Sequence, residues 1–251
     1  MNKIKKLLIF LLHYFIIYNI LTERKDIRMQ INKKIGYKAA IFDLDGTIAN
    51  TFPDISASVN AMLSEKGYPC RTDGEILRNI NGGVYELIRG ALPDGVKDDN
   101  AELERCVEVY DRYYSSHYCD MTKLYDGLYE VLTELNRQGI KLAVYTNKET
   151  PQAADIIENL IPGVFDIVLG SGHFPLKPEP VGTLWLLGQL GACADDVLFV
   201  GDSVVDVHTA HNADLRVAGV SWGYQGSERL IAEGADYIID NANQIKDIVI
   251  G

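Results

Sequence analysis

Short, unbroken apolar runs mark the chain from residue 36 onward: "YKAAIF" (37–42), "IKLAVYT" (140–146), "VFDIVLG" (164–170) and "DVLFVG" (196–201). Runs of this length without polar alternation suit strands covered on both faces of a parallel sheet. Helical patterns lie between them. In "GLYEVLTELNRQG", Leu128, Val131, Leu132 and Leu135 recur at i, i+3, i+4 and i+7, and Gly139 stands where a helix would be capped. "PEPVGTLWLLGQLG" places Leu184, Leu187 and Leu190 on one stripe, predicting a second helix. Alternating strand and helix predict an α/β fold with a doubly wound parallel sheet, whose ligands bind beyond the carboxyl ends of the strands.

One block breaks the alternation. From 51 to 124 no strand is evident, and the helical stretches "DISASVNAMLSEKG" and "NAELERCVEVYDRYYSSH" surround "NINGG" at 79–83. A block of this length is not a simple loop. It reads as an inserted all-helical cap over the site, which divides the chain into a core of 36–50 and 125–251, a cap of 51–124 and an N-terminal extension of 1–35.

Composition narrows the function classes. With 251 residues, 47% hydrophobic and 24% charged, the chain is long and apolar enough to bury a large core. Lys plus Arg number 24 against 35 Asp plus Glu, a balance of −11 that repels polyanions and argues against a nucleic-acid partner. Cys70, Cys106, Cys119 and Cys193 lie far apart without C-x-x-C spacing, as ordinary thiols do in a reducing, cytoplasmic setting. Upstream, Lys3, Lys5 and Lys6 precede "LLIFLLHYFIIYNIL" (7–21), which falls short of the ~20 apolar residues of a membrane span. It reads as a weak anchor, an uncleaved signal or an extension outside the working protein. The last is the expectation, with a start at Met29; a membrane is a partner only if 7–21 is retained.

The candidate chemistry begins in "IFDLDGTIANT" (41–51), where the first apolar run empties into Asp43 and Asp45. Residues i and i+2 of an extended chain face the same way, so the two carboxylates repel unless a cation joins them, while Leu44 turns back into the sheet. Mg2+ suits such a pair, as a hard ion that takes one or two carboxylates and phosphate oxygens. Gly46 lets the chain turn, and backbone N–H groups of that turn are candidates to cradle a phosphate. Alone, D-x-D-G is most often a solvated turn. A calcium loop is excluded because its sixth residue would be Ile48 instead of Gly, and neither G-x-x-x-x-G-K-[ST] nor G-x-G-x-x-G occurs in the chain.

Thr146 and Asn147 close a second strand, Lys177 sits in "LKPEP", and Asp202 and Asp206 follow a third strand in "FVGDSVVD". Each has an ordinary reading: a strand-end threonine satisfying backbone, a solvated lysine, a helix N-cap. Together they put a carboxylate pair, a hydroxyl, an ammonium and a second acidic cluster at the carboxyl ends of one sheet.

With these motifs in this order, over roughly 37–240, the sequence resembles the haloacid dehalogenase (HAD) superfamily: "DLDGT" its first motif, "YTN" its second, "KPEP" its third and "GDSVVD" its fourth. The likeness is greatest to its phosphoglycolate phosphatases, which carry a helical cap between the first two motifs. The resemblance implies a HAD-type Rossmannoid core and a Mg2+-dependent phosphatase acting on a small phosphorylated metabolite. It implies Asp43 as nucleophile, Asp45 as general acid and base, and Thr146, Asn147 and Lys177 as holders of the phosphoryl oxygens. Asp43, Asp202 and the Asp45 carbonyl would bind the metal, and Asp206 would orient Lys177 or a metal-bound water. An acid at Asp45 argues against carbon–halogen chemistry. A β-phosphoglucomutase-type mutase, a pyrophosphatase or nucleotidase, and a non-catalytic membrane-tethered binding protein are the alternatives. In the cap, Arg78, Arg89 and Lys123 are candidates for a substrate carboxylate, a solvated helix face being the ordinary reading of each, and Gly82 and Gly83 are candidates for a mobile loop. Asn50 replaces an acidic residue common in relatives. A monomer or homodimer is expected.

Overall fold

Residues 36–251 are described by a computed structural model, so the apolar stretch 7–21 and the expected start at Met29 lie outside the described residues. The strands, in chain order, are β1 (Ala39–Phe42), β2 (Ala49–Asn50), β3 (Lys123–Leu124), β4 (Lys141–Glu149), β5 (Ile167–Ser171), β6 (Val197–Gly201), β7 (Arg216–Val220) and β8 (Tyr237–Ile239). Six of them form a parallel sheet in the order β5-β4-β1-β6-β7-β8. The four apolar runs of the sequence are β1, β4, β5 and β6. Of the other two, "RVAGV" is interrupted by Arg216 and Gly219, and "YII" is too brief to stand out from its surroundings.

β1 lies between β4 and β6, with Ala39 beside both Lys141 and Val197. Its side chains alternate between two cores. Phe42 joins Val144, Val200 and Val220 on one face; Ile41 joins Ala143, Tyr145, Phe199 and Val217 on the other. Each large side chain removed from water this way contributes about 1.5–3 kcal/mol, which explains why β1 is wholly apolar.

The helices of the inserted block are α1 (Phe52–Glu65), α2 (Asp73–Leu77), α3 (Gly83–Ala91) and α4 (Asn100–His117), and those of the sheet are α5 (Leu128–Arg137), α6 (Thr150–Leu160), α7 (Val181–Leu190), α8 (Val204–Asn212), α9 (Ser227–Ala232) and α10 (Ala242–Ile250). Side chains of α5, α6 and α10 pack on one face of the sheet, and those of α7, α8 and α9 on the other. The sheet is doubly wound.

The stripe expected on α7 is corrected. Leu187 is buried and Leu190 packs against the same core, but Leu184 is 53% exposed, and the helix buries Gly182, Thr183 and Leu186 beside Leu187. Small residues decide this: a Cβ at Gly182 would meet the Tyr145 hydroxyl at 2.3 Å, so the helix comes closest to β4 along its glycine side.

The inserted helices have a core of their own, including Val59, Met62 and Leu63 of α1, Leu87 and Ile88 of α3, and Leu103, Cys106 and Val107 of α4. Asp99 starts α4 by accepting from the N–H groups of Ala101 (3.0 Å) and Glu102 (3.1 Å). The chain enters this block through β2 and leaves through β3, which pair antiparallel with Ala49 opposite Leu124 and Asn50 opposite Lys123. No helix among the described residues is long and apolar enough to cross a membrane.

Candidate active site

The turn after β1 is built around the Leu44 carbonyl, which accepts from the N–H groups of Thr47 (3.3 Å), Ile48 (3.0 Å) and Ala49 (3.0 Å), while Gly46 N–H donates to Ala49 (2.9 Å). Those four N–H groups are therefore occupied inside the turn. Leu44 is fully buried, and Asp43 is 7% exposed at the carboxyl end of β1. Gly46 is required twice over. Its φ is +86°, and a Cβ there would come within 2.5 Å of Asp202 Oδ2.

Adjacent strands deliver the rest. Asp202 follows β6, and Asp206 lies in the first turn of α8. Lys177, from the segment between β5 and α7, donates from Nζ to Asp43 Oδ1 and Asp206 Oδ1, both at 2.7 Å. Asp206 Oδ2 accepts from Ser203 N–H (3.0 Å) and Ser203 Oγ (2.6 Å). Asp202 Oδ1 accepts from Thr47 Oγ1 (3.1 Å), and its Oδ2 from Tyr224 N–H (2.7 Å). Oxygens of Asp43, Asp202 and Asp206 lie within 4.8 Å of one another.

Three buried carboxylates against one ammonium leave an excess of negative charge out of reach of water. Burial pushes the Asp43 carboxyl up to about 7, with Lys177 pulling it down and Asp206 and Asp45 pushing it further up. Burial, then repulsion from Asp206 and Asp43, holds Asp202 well above the usual carboxylate range despite its Tyr224 and Thr47 hydrogen bonds. Burial opposes the Lys177 charge, but Asp206 and Asp43 outweigh it and raise the ammonium above its ordinary range. A hard divalent cation fits this all-oxygen, over-negative cluster.

The phosphoryl-side candidates are also gathered. Thr146 is buried and lines a cavity of about 690 Å³ together with Asp43, Asp45, Asn147 and Lys177. Asn147 uses its side chain to fix the Lys177 backbone, accepting from its N–H (2.8 Å) and donating to its carbonyl (3.3 Å). Asp45 Oδ1 takes hydrogen bonds from Thr51 Oγ1 (2.5 Å) and an ion pair from Lys148 (3.2 Å).

The sequence pattern of the haloacid dehalogenase-like hydrolases matches residues 40–220. The chain is a haloacid dehalogenase-like hydrolase. A phosphoglycolate phosphatase of Haemophilus influenzae (strain 86-028NP) is 33% identical over 220 residues, covering 85% of this chain and 98% of the relative. Phosphoglycolate phosphatase 1 of Pseudomonas aeruginosa is 30% identical over 225 residues, covering 85% and 82%. The crystal structure of a predicted phosphoglycolate phosphatase from Haemophilus somnus 129PT superposes with a TM-score of 0.78 at 30% identity, covering 84% of this chain and 97% of the other.

The cavity of this hydrolase is walled on one side by the inserted helices, through Ile55, Leu87, Tyr110 and Tyr114. The cationic residues expected there do not line it. Arg78 is exposed at the end of α2. Arg89 donates to the Lys97 carbonyl (2.8 Å) and pairs with Glu86 (3.6 Å), bracing α3. Lys123 is exposed on β3. Gly83 lines the cavity at the start of α3, and Gly82 ends the 3-10 turn before it.

Sequence reading passed over Lys148, although it directly follows the Thr146–Asn147 pair. It also missed Thr47, Thr51 and Tyr224. Thr51 N–H and Oγ1 both meet the Tyr224 hydroxyl at 3.2 Å, so a residue far along the chain braces the partner of Asp45. Tyr224 lies beyond the fourth motif with no local pattern to flag it.

Proposed function

We propose that this hydrolase is a Mg2+-dependent phosphatase of small phosphate monoesters, with 2-phosphoglycolate as the first candidate substrate. The observation that carries the reading is the gathering of Asp43, Lys177, Asp202 and Asp206 at the carboxyl ends of adjacent strands. The named relatives support the substrate. Mg2+, held by Asp43, Asp202 and the Asp45 carbonyl, would supply positive charge to the phosphoryl oxygens.

Lys177 holds Asp43 by Oδ1, leaving the other oxygen to attack phosphorus. The new Asp43–phosphorus bond forms as the ester phosphorus–oxygen bond breaks, giving an aspartyl-phosphate. Thr51 and Lys148 both grip Asp45 Oδ1, so its Oδ2 is the oxygen placed to give a proton to the departing alkoxide. Asp45 then takes a proton from water as the water oxygen attacks phosphorus, releasing inorganic phosphate and restoring Asp43. Thr146, the Asn147 backbone and Lys177 hold the phosphoryl oxygens. Residues 51–124 act as the cap, excluding water while the ester is bound. The free thiols of Cys70, Cys106, Cys119 and Cys193 support a cytoplasmic setting.

The test is phosphate release from 2-phosphoglycolate, β-glucose 1-phosphate and an aryl phosphate, with and without Mg2+. Release that needs Mg2+ and falls by ~10³-fold or more in Asp43→Asn is expected. Conversion of β-glucose 1-phosphate to its 6-phosphate isomer without free phosphate would replace the reading with a mutase.

A further inference from the structure

Three cations line the cavity among the described residues: Lys177, Arg112 and Lys148. Lys177 is clamped between two carboxylates. Arg112 is 61% exposed and bonded to both oxygens of Glu65 at 2.5 Å. Lys148 differs from both. Its side chain is 6% exposed, and its ammonium pairs with a single carboxylate, Asp45, at 3.2 Å. Its second partner is the neutral hydroxyl of Tyr114 on α4, and it lies 4.7 Å from the centre of that ring. An ammonium has three N–H donors. Asp45 and Tyr114 take two, which leaves one for the cavity.

We propose that Lys148 is the specificity-determining residue that receives a carboxylate carried by the leaving group of the substrate. The proposal rests on the phosphatase reading above and names the chemistry that the site selects. Asp45 serves the ester oxygen, so a cation 3.2 Å from its carboxylate stands on the leaving-group side, away from the phosphoryl pocket. An anion that reaches Lys148 must sit within a few bonds of that oxygen. A carboxylate borne directly by the ester carbon meets this requirement, whereas the neutral hydroxyls of a sugar phosphate bring the ammonium no negative charge. Asp111 and Glu149 also line the cavity and repel an anion elsewhere along its wall. Tyr114 supplies the link to the inserted helices: the group that reads the carboxylate is held in place by both halves of the cavity.

The test compares kcat and KM for 2-phosphoglycolate and for ethyl phosphate, which lacks the carboxylate, in wild type, Lys148→Met and Tyr114→Phe, all with Mg2+. Both activities fall in Lys148→Met because Asp45 loses its ion pair. The ratio of kcat/KM for 2-phosphoglycolate over ethyl phosphate is expected to fall further, by about 30-fold, the contribution of one charge-assisted hydrogen bond. The selective part appears in KM. Tyr114→Phe keeps the ammonium and loses its tether, and should lower the same ratio by roughly threefold to fivefold. Should Lys148→Met not fold, as read by circular dichroism, the Tyr114→Phe ratio decides. A ratio that stays at the wild-type value in the folded variants overturns the proposal while leaving the phosphatase reading intact. Wild type that releases phosphate from no ester overturns the phosphatase reading first, and this proposal with it.

Discussion

At the scale of single residues, the site depends on side chains that leave no room for substitution. Gly46 combines a left-handed backbone with a close approach to Asp202. Gly46→Ala is expected to cost about 1–2 kcal/mol in urea unfolding for the backbone alone. By displacing Asp202 it should also weaken Mg2+ activation of phosphate release by at least ~10-fold. A normal Mg2+ titration in this variant would show that Asp202 has another way to bind. The polar groups at this scale were legible where they lay in short motifs: Asp43, Asp45, Thr146, Lys177, Asp202 and Asp206 are all found at one end of the sheet. Lys148, Thr51 and Tyr224 were not, because their importance lies in whom they touch across the chain. Of the cap candidates Arg78, Arg89 and Lys123, none lines the cavity, and for Arg78 and Lys123 the ordinary reading as a solvated charge stands.

At the scale of elements, Asp54 ties the incoming helix of the inserted block to the residues that lead into its outgoing strand. From the first turn of α1 it accepts from the N–H of Met121 (2.9 Å to Oδ1) and from the N–H (2.9 Å) and hydroxyl (2.7 Å) of Thr122. Asp54→Ala leaves buried donors without a partner and should lower stability by about 2–3 kcal/mol in urea unfolding. A second tie joins α1 to α4. Glu102 of α4 pairs with Lys66 (2.7 Å) and Arg105 (2.7 Å) and accepts from the Tyr68 hydroxyl. The Lys66 and Arg105 hydrogen bonds hold its carboxyl down from 4.5 to about 2. A folded-state value below the unfolded one means that the contribution is complete above 4.5 and is lost as pH falls from 4.5 toward 2. The gap in melting temperature between wild type and Glu102→Gln is therefore expected to be full at neutral pH and to narrow on acidification through that window. A gap independent of pH would mean that Glu102 acts by packing. Among elements, legibility followed length and uniformity. β1, β4, β5 and β6 stood out as unbroken apolar runs, and α4 was read from its first residue to its last. β8 was too short to separate from the turns around it, and β7 is interrupted by Arg216 and Gly219. On α7, uniform leucines hid the face that the small Gly182 and Thr183 actually bury.

At the scale of the whole molecule, electrostatics and fold act on the same place. The chain carries a formal charge of −11, and its buried carboxylates add repulsion where the sheet ends. A cation that binds the folded state alone stabilises it, by roughly 2.7 kcal/mol at a hundred times its dissociation constant. Thermal unfolding of the wild type should therefore shift upward with Mg2+, and Asp202→Asn should shrink that shift. An equal shift in both would place the ion elsewhere. The doubly wound core was legible because strand and helix alternate, whereas the route between core and inserted helices was not, because β2 and β3 have two residues each. That narrow route has a consequence for engineering. Ala49 faces Leu124 and Asn50 faces Lys123, so the two severed ends left by excising the block stand about 5 Å apart. A foreign module with neighbouring termini fits that doorway, provided Thr51, whose hydroxyl grips Asp45, stays behind with the catalytic chassis.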